Sequence, residues 1–279
     1  MFGEPTIGII GGSGWLGRSL AQSMLETAFV QPRALILSSR STGELALHAR
    51  WPQVRMTRSN QELLEQCQVI IVAVRPEQFP AVSFDGMQRL VISLMAGVSM
   101  ASLVRHTGCS QVIRAMPNAA AEIGKSYTPW LATASVTPEQ KAFTQCLFET
   151  CGGADEVFTE ADLNYLSALV GTGPAYPALL AQAMFEHALA QGLPQAIARR
   201  AVDAVVMDAS QLLDTYRPEQ LLDVLRSYRG VTAAGLEGMS SAGFVRSVNA
   251  GLDAAVGAAA AMQASAADEP TESDRADAV

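Results

Sequence analysis

The sequence predicts an α/β half followed by an all-α half: an N-terminal doubly wound parallel sheet, then a bundle of helices. Three observations carry this. Short β-branched runs alternate with helix-like stretches from Thr6 to about Val157. A glycine cluster joins the first run to the first helix-like stretch. After about Thr159 the strand signal ends, and residues 160–262 carry Ala, Leu, Met and Gln at helical spacing.

Taken in order, the strand candidates are TIGII, ALIL, QVIIVAV, RLVISL and SQVIRAM, with TPWLA as a sixth. They lack polar alternation, as strands buried on both faces do, and such strands build parallel sheets. Helix-like segments fall between them at 15–27, 59–66, 99–106 and 137–150, and strands alternating with helices wind doubly.

In the second half, Gly192 and Pro194 mark one helix end and the next start, and Pro218 stands in the first turn of another helix. Residues 165–190 and 250–262 are apolar and almost uncharged, more apolar surface than ~100 residues hide alone. Self-association is the outlet, so this is read as a dimerisation domain. The limits are 1–159 for a nucleotide-binding domain, 160–263 for the helical domain and 264–279 for a disordered acidic tail, which lacks large apolar residues.

Composition excludes several classes. The 279 residues are 49% hydrophobic with a net charge of −8. No basic block offers a footprint for nucleic acid or an anionic membrane. Cys67, Cys109, Cys146 and Cys151 are scattered without a CxxC, which reads as reduced thiols in a cytoplasmic protein. No apolar run approaches the ~20 residues of a membrane span, and no signal peptide is expected. The three histidines, His48, His106 and His187, sit in no metal-ligand spacing, so no metal is expected.

The glycines give the first functional lead. Gly12-Ser13-Gly14-Trp15-Leu16-Gly17 fits G-x-G-x-x-G between a strand and a helix, the context of a Rossmann-type dinucleotide site. Gly12 is expected to make the tight turn, Gly14 to let backbone approach a pyrophosphate, and Gly17 to let helix and sheet pack closely. The helix N-terminus then offers N–H groups to the anion.

The second strand selects the dinucleotide. NAD sites end it with Asp or Glu for the ribose hydroxyl. Here it ends in Ser38, Ser39, Arg40 and Ser41, hydroxyls and a guanidinium that suit a 2′-phosphate. NADP is the expected cofactor. Its nicotinamide is expected near Ala73-Val74-Arg75-Pro76 and Met116-Pro117-Asn118, each following a strand. Asn118 is either a donor and acceptor there or a turn residue.

An acid for carbonyl reduction is harder to find. Lys125 and Lys141 are the only lysines, and neither lies in the helical half. An imine needs less help, because its nitrogen protonates easily and the iminium accepts hydride once the ring is oriented and water excluded. Hydroxyls and backbone N–H groups for that task occur at Gly171–Tyr176, with Thr172 and Gly173, and at Ser227–Leu236.

Over about residues 6–262 the chain resembles the pyrroline-5-carboxylate reductase family. The resemblance rests on the glycine fingerprint, AVRP at 73–76, RAMPN at 114–118 and ALVGTGPAY at 168–176, in family order. It implies reduction of 1-pyrroline-5-carboxylate to proline with NAD(P)H by an interlocked homodimer. The family's last motif, Ser-Pro-Gly-Gly-Thr-Thr, matches in part. Ser227, Gly230 and Thr232 agree, while Tyr228, Arg229 and Val231 replace proline, glycine and threonine. That loop binds the substrate carboxylate in the family, which assigns substrate binding to Arg229, Gly230, Val231 and Thr232 and catalysis to Thr232, Thr172 and Gly173. After MPN the family's Thr-Pro is Ala119-Ala120. Two alternatives stand beside this reading: a paralogue reducing another imine or a carbonyl, with Arg229 meeting an extra negative group, and a non-catalytic NADP-binding regulatory protein.

Overall fold

The computed structural model describes residues 4–40, 46–84 and 88–267. Two compact units emerge, one comprising residues up to Thr172 together with those from Ala255 on, the other Gly173–Ala254.

The first unit is built on one eight-stranded sheet. Its strands are β1 (Ile7–Ile10), β2 (Leu35–Ser38), β3 (Arg55–Thr57), β4 (Val69–Val72), β5 (Leu90–Ser93), β6 (Val112–Ala115), β7 (Ser126–Ala132) and β8 (Gly152–Glu156). The spatial order is β3-β2-β1-β4-β5-β6-β7-β8. All pairs are parallel except β6 with β7. The helices are α1 (Trp15–Glu26), α2 (Ala46–Arg50), α3 (Asn60–Gln66), α4 (Met100–Thr107), α5 (Pro138–Glu149) and α6 (Glu160–Gly171).

Successive strand residues serve opposite faces. Ile7, Ile9, Leu35, Leu37, Val69 and Ile71 join Leu20 and Met24 of α1 and Phe148 of α5 in one core. Ile10, Ile36, Ile70 and Val72 join Leu63 and Leu64 of α3 and Leu103 of α4 in the other. Both faces are buried, which explains the missing polar alternation. The side chains of Ser59, Ser99, Thr137 and Thr159 cap the N-termini of α3, α4, α5 and α6.

Three elements were not expected: β3, β8 and α2. β3 is three half-exposed residues at the sheet edge, too short and polar for a periodic signal. β8 reads GGADE and pairs where a side chain at Gly152 would stand 1.9 Å from the carbonyl oxygen of Ser126. Glycine is required there, although glycines argue against a strand.

The second unit holds α7 (Ala175–Ala190), α8 (Gln195–Asp203), a π turn at Ala204–Asp208, a 3-10 turn at Ala209–Asp214, α9 (Pro218–Ser227), α10 (Val231–Ser241) and the first part of α11 (Phe244–Ala267). Gly192 takes φ +83 after α7, and Pro194 and Pro218 start α8 and α9. Helix α11 runs through Ala267, past the expected tail start at 264, because Ala-rich sequence favours helix. Ser41 and residues 268–279 lie outside the described residues.

Candidate functional site

Strand order reverses between β1 and β4, where a doubly wound sheet opens a crevice beyond its strand ends. A cleft of about 590 Å³ lies there, lined by Ile10 at the end of β1 with Gly11, Ser13 and Gly14 after it, Ser38 at the end of β2 with Ser39 and Arg40 after it, Arg58 and Asn60 after β3, and Ala73, Val74, Arg75, Glu77, Gln78, Ala81 and Val82 after β4.

Backbone contacts fix its floor. The N–H of Gly12 donates to the Ser38 carbonyl at 3.0 Å, that of Ala73 to Ile10 at 2.8 Å, and that of Ser39 to Thr57 at 3.1 Å. The hydroxyls of Ser13 and Ser39 lie 2.6 Å apart, tying the glycine loop to the end of β2. Ser38 donates to Asn60 Oδ1 at 2.7 Å. Helix α1 has no side-chain cap, so its first-turn N–H groups are the natural donors to an anion.

The glycine roles need one correction. The tight turn belongs to Gly11, at φ +83, where a side chain would press on the Ala73 carbonyl at 2.8 Å. Gly12 is needed for packing instead, since a Cβ there would stand 2.8 Å from that of Leu37. The turn comes one residue earlier because β1 ends at Ile10. Gly14 is the N-cap residue of α1. At Gly17 a Cβ would lie 2.7 Å from the Gly11 carbonyl oxygen, so close approach of helix and turn requires glycine.

Of the other expected cofactor residues, Ser39, Arg40, Ala73, Val74 and Arg75 line the cleft. Pro76 begins the adjoining 3-10 turn Pro76–Ala81. Trp15 is exposed and donates its Nε1–H to Glu122 at 2.9 Å, and Leu16 packs on the first core. Met116 is buried; Met116, Pro117 and Asn118 are not among the cleft residues. Asn118 caps the 3-10 turn Ala119–Ile123 by accepting from the Ala120 N–H at 3.0 Å, and its Nδ2 donates to the Val170 carbonyl at 3.1 Å. The turn role is the one its side chain performs. Arg58 and Asn60 were missed because β3 was missed; the one signal was Ser59, an N-cap type ahead of a helical stretch.

The same unit also holds a buried charge. Arg114 on β6, 1% exposed, pairs with Glu160 in the first turn of α6 and donates to Asn164 Oδ1 at 3.3 Å. Glu160 also accepts from the Met100 N–H at 2.7 Å. Burial pulls the Arg114 pKa below its ordinary value and Glu160 opposes that pull. Thr172 is half-buried at the end of α6, its hydroxyl donating to the Ala168 carbonyl.

In the helical unit, Gly173 precedes α7, and residues 229–232 form the entry to α10. Arg229 takes φ +53, and Gly230, the N-cap residue, takes φ +82. Arginine thus holds a left-handed conformation that glycine adopts freely, at a cost of about 1–2 kcal/mol. Helix α10 has no side-chain cap. Val231 is 91% exposed, and Thr232 and Arg229 are also exposed, so this loop is presented outward from its own unit.

Comparison with known proteins assigns the two halves. Residues 160–262 match the family model for pyrroline-5-carboxylate reductase dimerisation, and residues 6–97 match NADP oxidoreductase, coenzyme F420-dependent. A pyrroline-5-carboxylate reductase of Thermus thermophilus is 32% identical over 89% of this chain and 94% of its own length. One from Synechocystis sp. is 31% identical over 85% and 91%. The solved structure of a pyrroline-5-carboxylate reductase from Coxiella burnetii superposes with a TM-score of 0.83 at 25% identity, covering 93% of this chain and 98% of that one. The dimerisation match and the exposed apolar helices support self-association. Among the described residues, no helix is long and apolar enough to cross a membrane. With a cleft shaped for a dinucleotide and relatives of this extent, the chain belongs to the pyrroline-5-carboxylate reductase family.

Proposed function

We propose that the protein reduces 1-pyrroline-5-carboxylate to proline with NADPH, as a cytoplasmic homodimer whose helical units complete the active sites. It is an oxidoreductase acting on a CH–NH bond, and its cofactor is NADP. The observation that carries the reading is the cleft after β1, β2 and β4: a glycine turn and uncapped helix at one end, Ser39 and Arg40 in place of a carboxylate at the other. A phosphorylated ribose fits that chemistry, whereas a carboxylate would repel it.

When bound, the nicotinamide supplies the hydride. The chain's own residues bind and orient. First-turn N–H groups of α1 would hold the pyrophosphate. The Thr232 hydroxyl and the first-turn N–H groups of α10 hold the substrate carboxylate, with Thr172 and the Gly173 N–H orienting the ring. The imine nitrogen arrives protonated, so these residues need only hold the ring and exclude water. No side-chain acid is required, consistent with a chain whose two lysines lie outside the helical half.

NADPH consumption with pyrroline-5-carboxylate tests this directly, and absence of turnover overturns it. Thr232→Ala should lower kcat/KM ~5-fold, the worth of a neutral hydrogen bond of about 1 kcal/mol; an unchanged value removes the loop from the site. A second reading, an imine bearing an extra anionic group, draws on Arg229 in that loop. Arg229→Gly separates the two: pyrroline activity that holds or rises places the guanidinium outside the site.

A further inference from the structure

We infer that Arg58 is a second cationic reader of the ribose 2′-phosphate, acting with Arg40. The inference rests on the NADP reading and adds a residue that follows β3, a strand outside the glycine fingerprint. The register places it: Ser38 pairs with Thr57 in the parallel β2·β3 ladder, and the Ser39 N–H continues that ladder to the Thr57 carbonyl. The chain leaving β3 therefore runs beside the chain leaving β2, and Arg58 and Arg40 both line the cleft.

Three features make this a charge-reading end. Ser39 is fixed by its 2.6 Å hydroxyl contact to Ser13, so β2's end cannot drift from the glycine loop. Asn60 accepts from Ser38 at 2.7 Å and anchors the segment just after Arg58. Both guanidiniums are exposed, and among the described residues no carboxylate pairs with either. Among the described residues, the one acid lining the cleft is Glu77, which follows β4 instead. A dianionic phosphate between two guanidiniums gains charge-assisted hydrogen bonds from each, while an unphosphorylated ribose gains nothing from the second cation. The pair makes the site selective for NADPH, beyond what Arg40 alone supplies.

The test is calorimetric binding of adenosine 2′,5′-bisphosphate and of 5′-AMP to the full chain, without turnover. Wild type should prefer the bisphosphate. Arg58→Ala should weaken it ~10-fold or more, the scale of a charged hydrogen bond, and leave 5′-AMP within ~2-fold. Arg58→Lys should retain part of the preference. Arg33→Ala, an exposed arginine at the opposite end of β2, controls for bulk charge and should change nothing. A preference that survives Arg58→Ala, or an equal loss on Arg33→Ala, overturns the role of Arg58. A wild type without preference overturns the NADP reading itself, a distinguishable failure.

Discussion

The sheet unit and the helical unit spend the same kind of side chain differently. Around the sheet, Ile7, Ile9, Leu37, Ile71 and Ile92 are at most 1% exposed. In the helical unit, Ala198 and Val202 are the buried apolar residues, while Leu179, Met207 and Val245 are each more than 60% exposed. One unit closes its core within one chain. The other presents exposed apolar helices whose match to a dimerisation family supports cover by self-association, so the first folds by burial and the second by burial plus association.

The sharpest way to break this contrast is to cut into the sheet. Ile71→Ala should cost about 4 kcal/mol, read as a fall in Tm that does not depend on protein concentration. A concentration-dependent fall would mean that the sheet core also relies on assembly.

Ion pairs give the next largest difference. Glu160→Ala leaves Arg114 charged and buried, and should cost about 3 kcal/mol in denaturant unfolding. In the helical unit, Glu219 pairs with Arg217 at 3.2 Å with both side chains more than 60% exposed. Glu219→Ala should cost under about 0.5 kcal/mol. Similar losses at the two sites would refute the distinction.

On the helical side, Leu179→Ala should leave the far-ultraviolet signal intact and weaken association by about 2 kcal/mol, ~30-fold in dissociation constant. Analytical ultracentrifugation reads this, and an unchanged constant would place α7 outside the interface. The smallest effect is at the loop. Arg229→Gly relieves left-handed strain but frees the unfolded chain, a net gain of about 0.5 kcal/mol. A loss of stability would show that the arginine side chain holds the loop.

The same contrast explains what was legible in the sequence. Strands buried on both faces announce themselves as unbroken apolar runs, so β1, β2, β4, β5 and β6 were readable. The edge strand β3 has no buried face to imprint, and with it Arg58 and Asn60 escaped. β8 escaped because Gly152 serves close backbone approach, a demand that erases β-propensity. At the glycine loop the pattern was readable but not its phase: two adjacent glycines leave the turn free to fall on either, and the end of β1 assigns it to Gly11. The surplus of apolar helix was readable as association because charge is absent over long stretches. The loop before α10 was readable as a departure, yet its backbone was not, since nothing local demands a left-handed arginine.

Glu160 also bears on how the protein can be dissected. It receives the backbone of α4 and the guanidinium of β6 while standing on α6, so the first helix after the sheet is stitched into the sheet unit. A recombinant fragment ending at Thr159 would strand a buried cation and expose the foot of α4. One extended through Thr172 keeps both partners, together with the Asn118 clasp on Val170. Limited proteolysis should accordingly find its boundary beyond α6, and a soluble sheet fragment should include that helix.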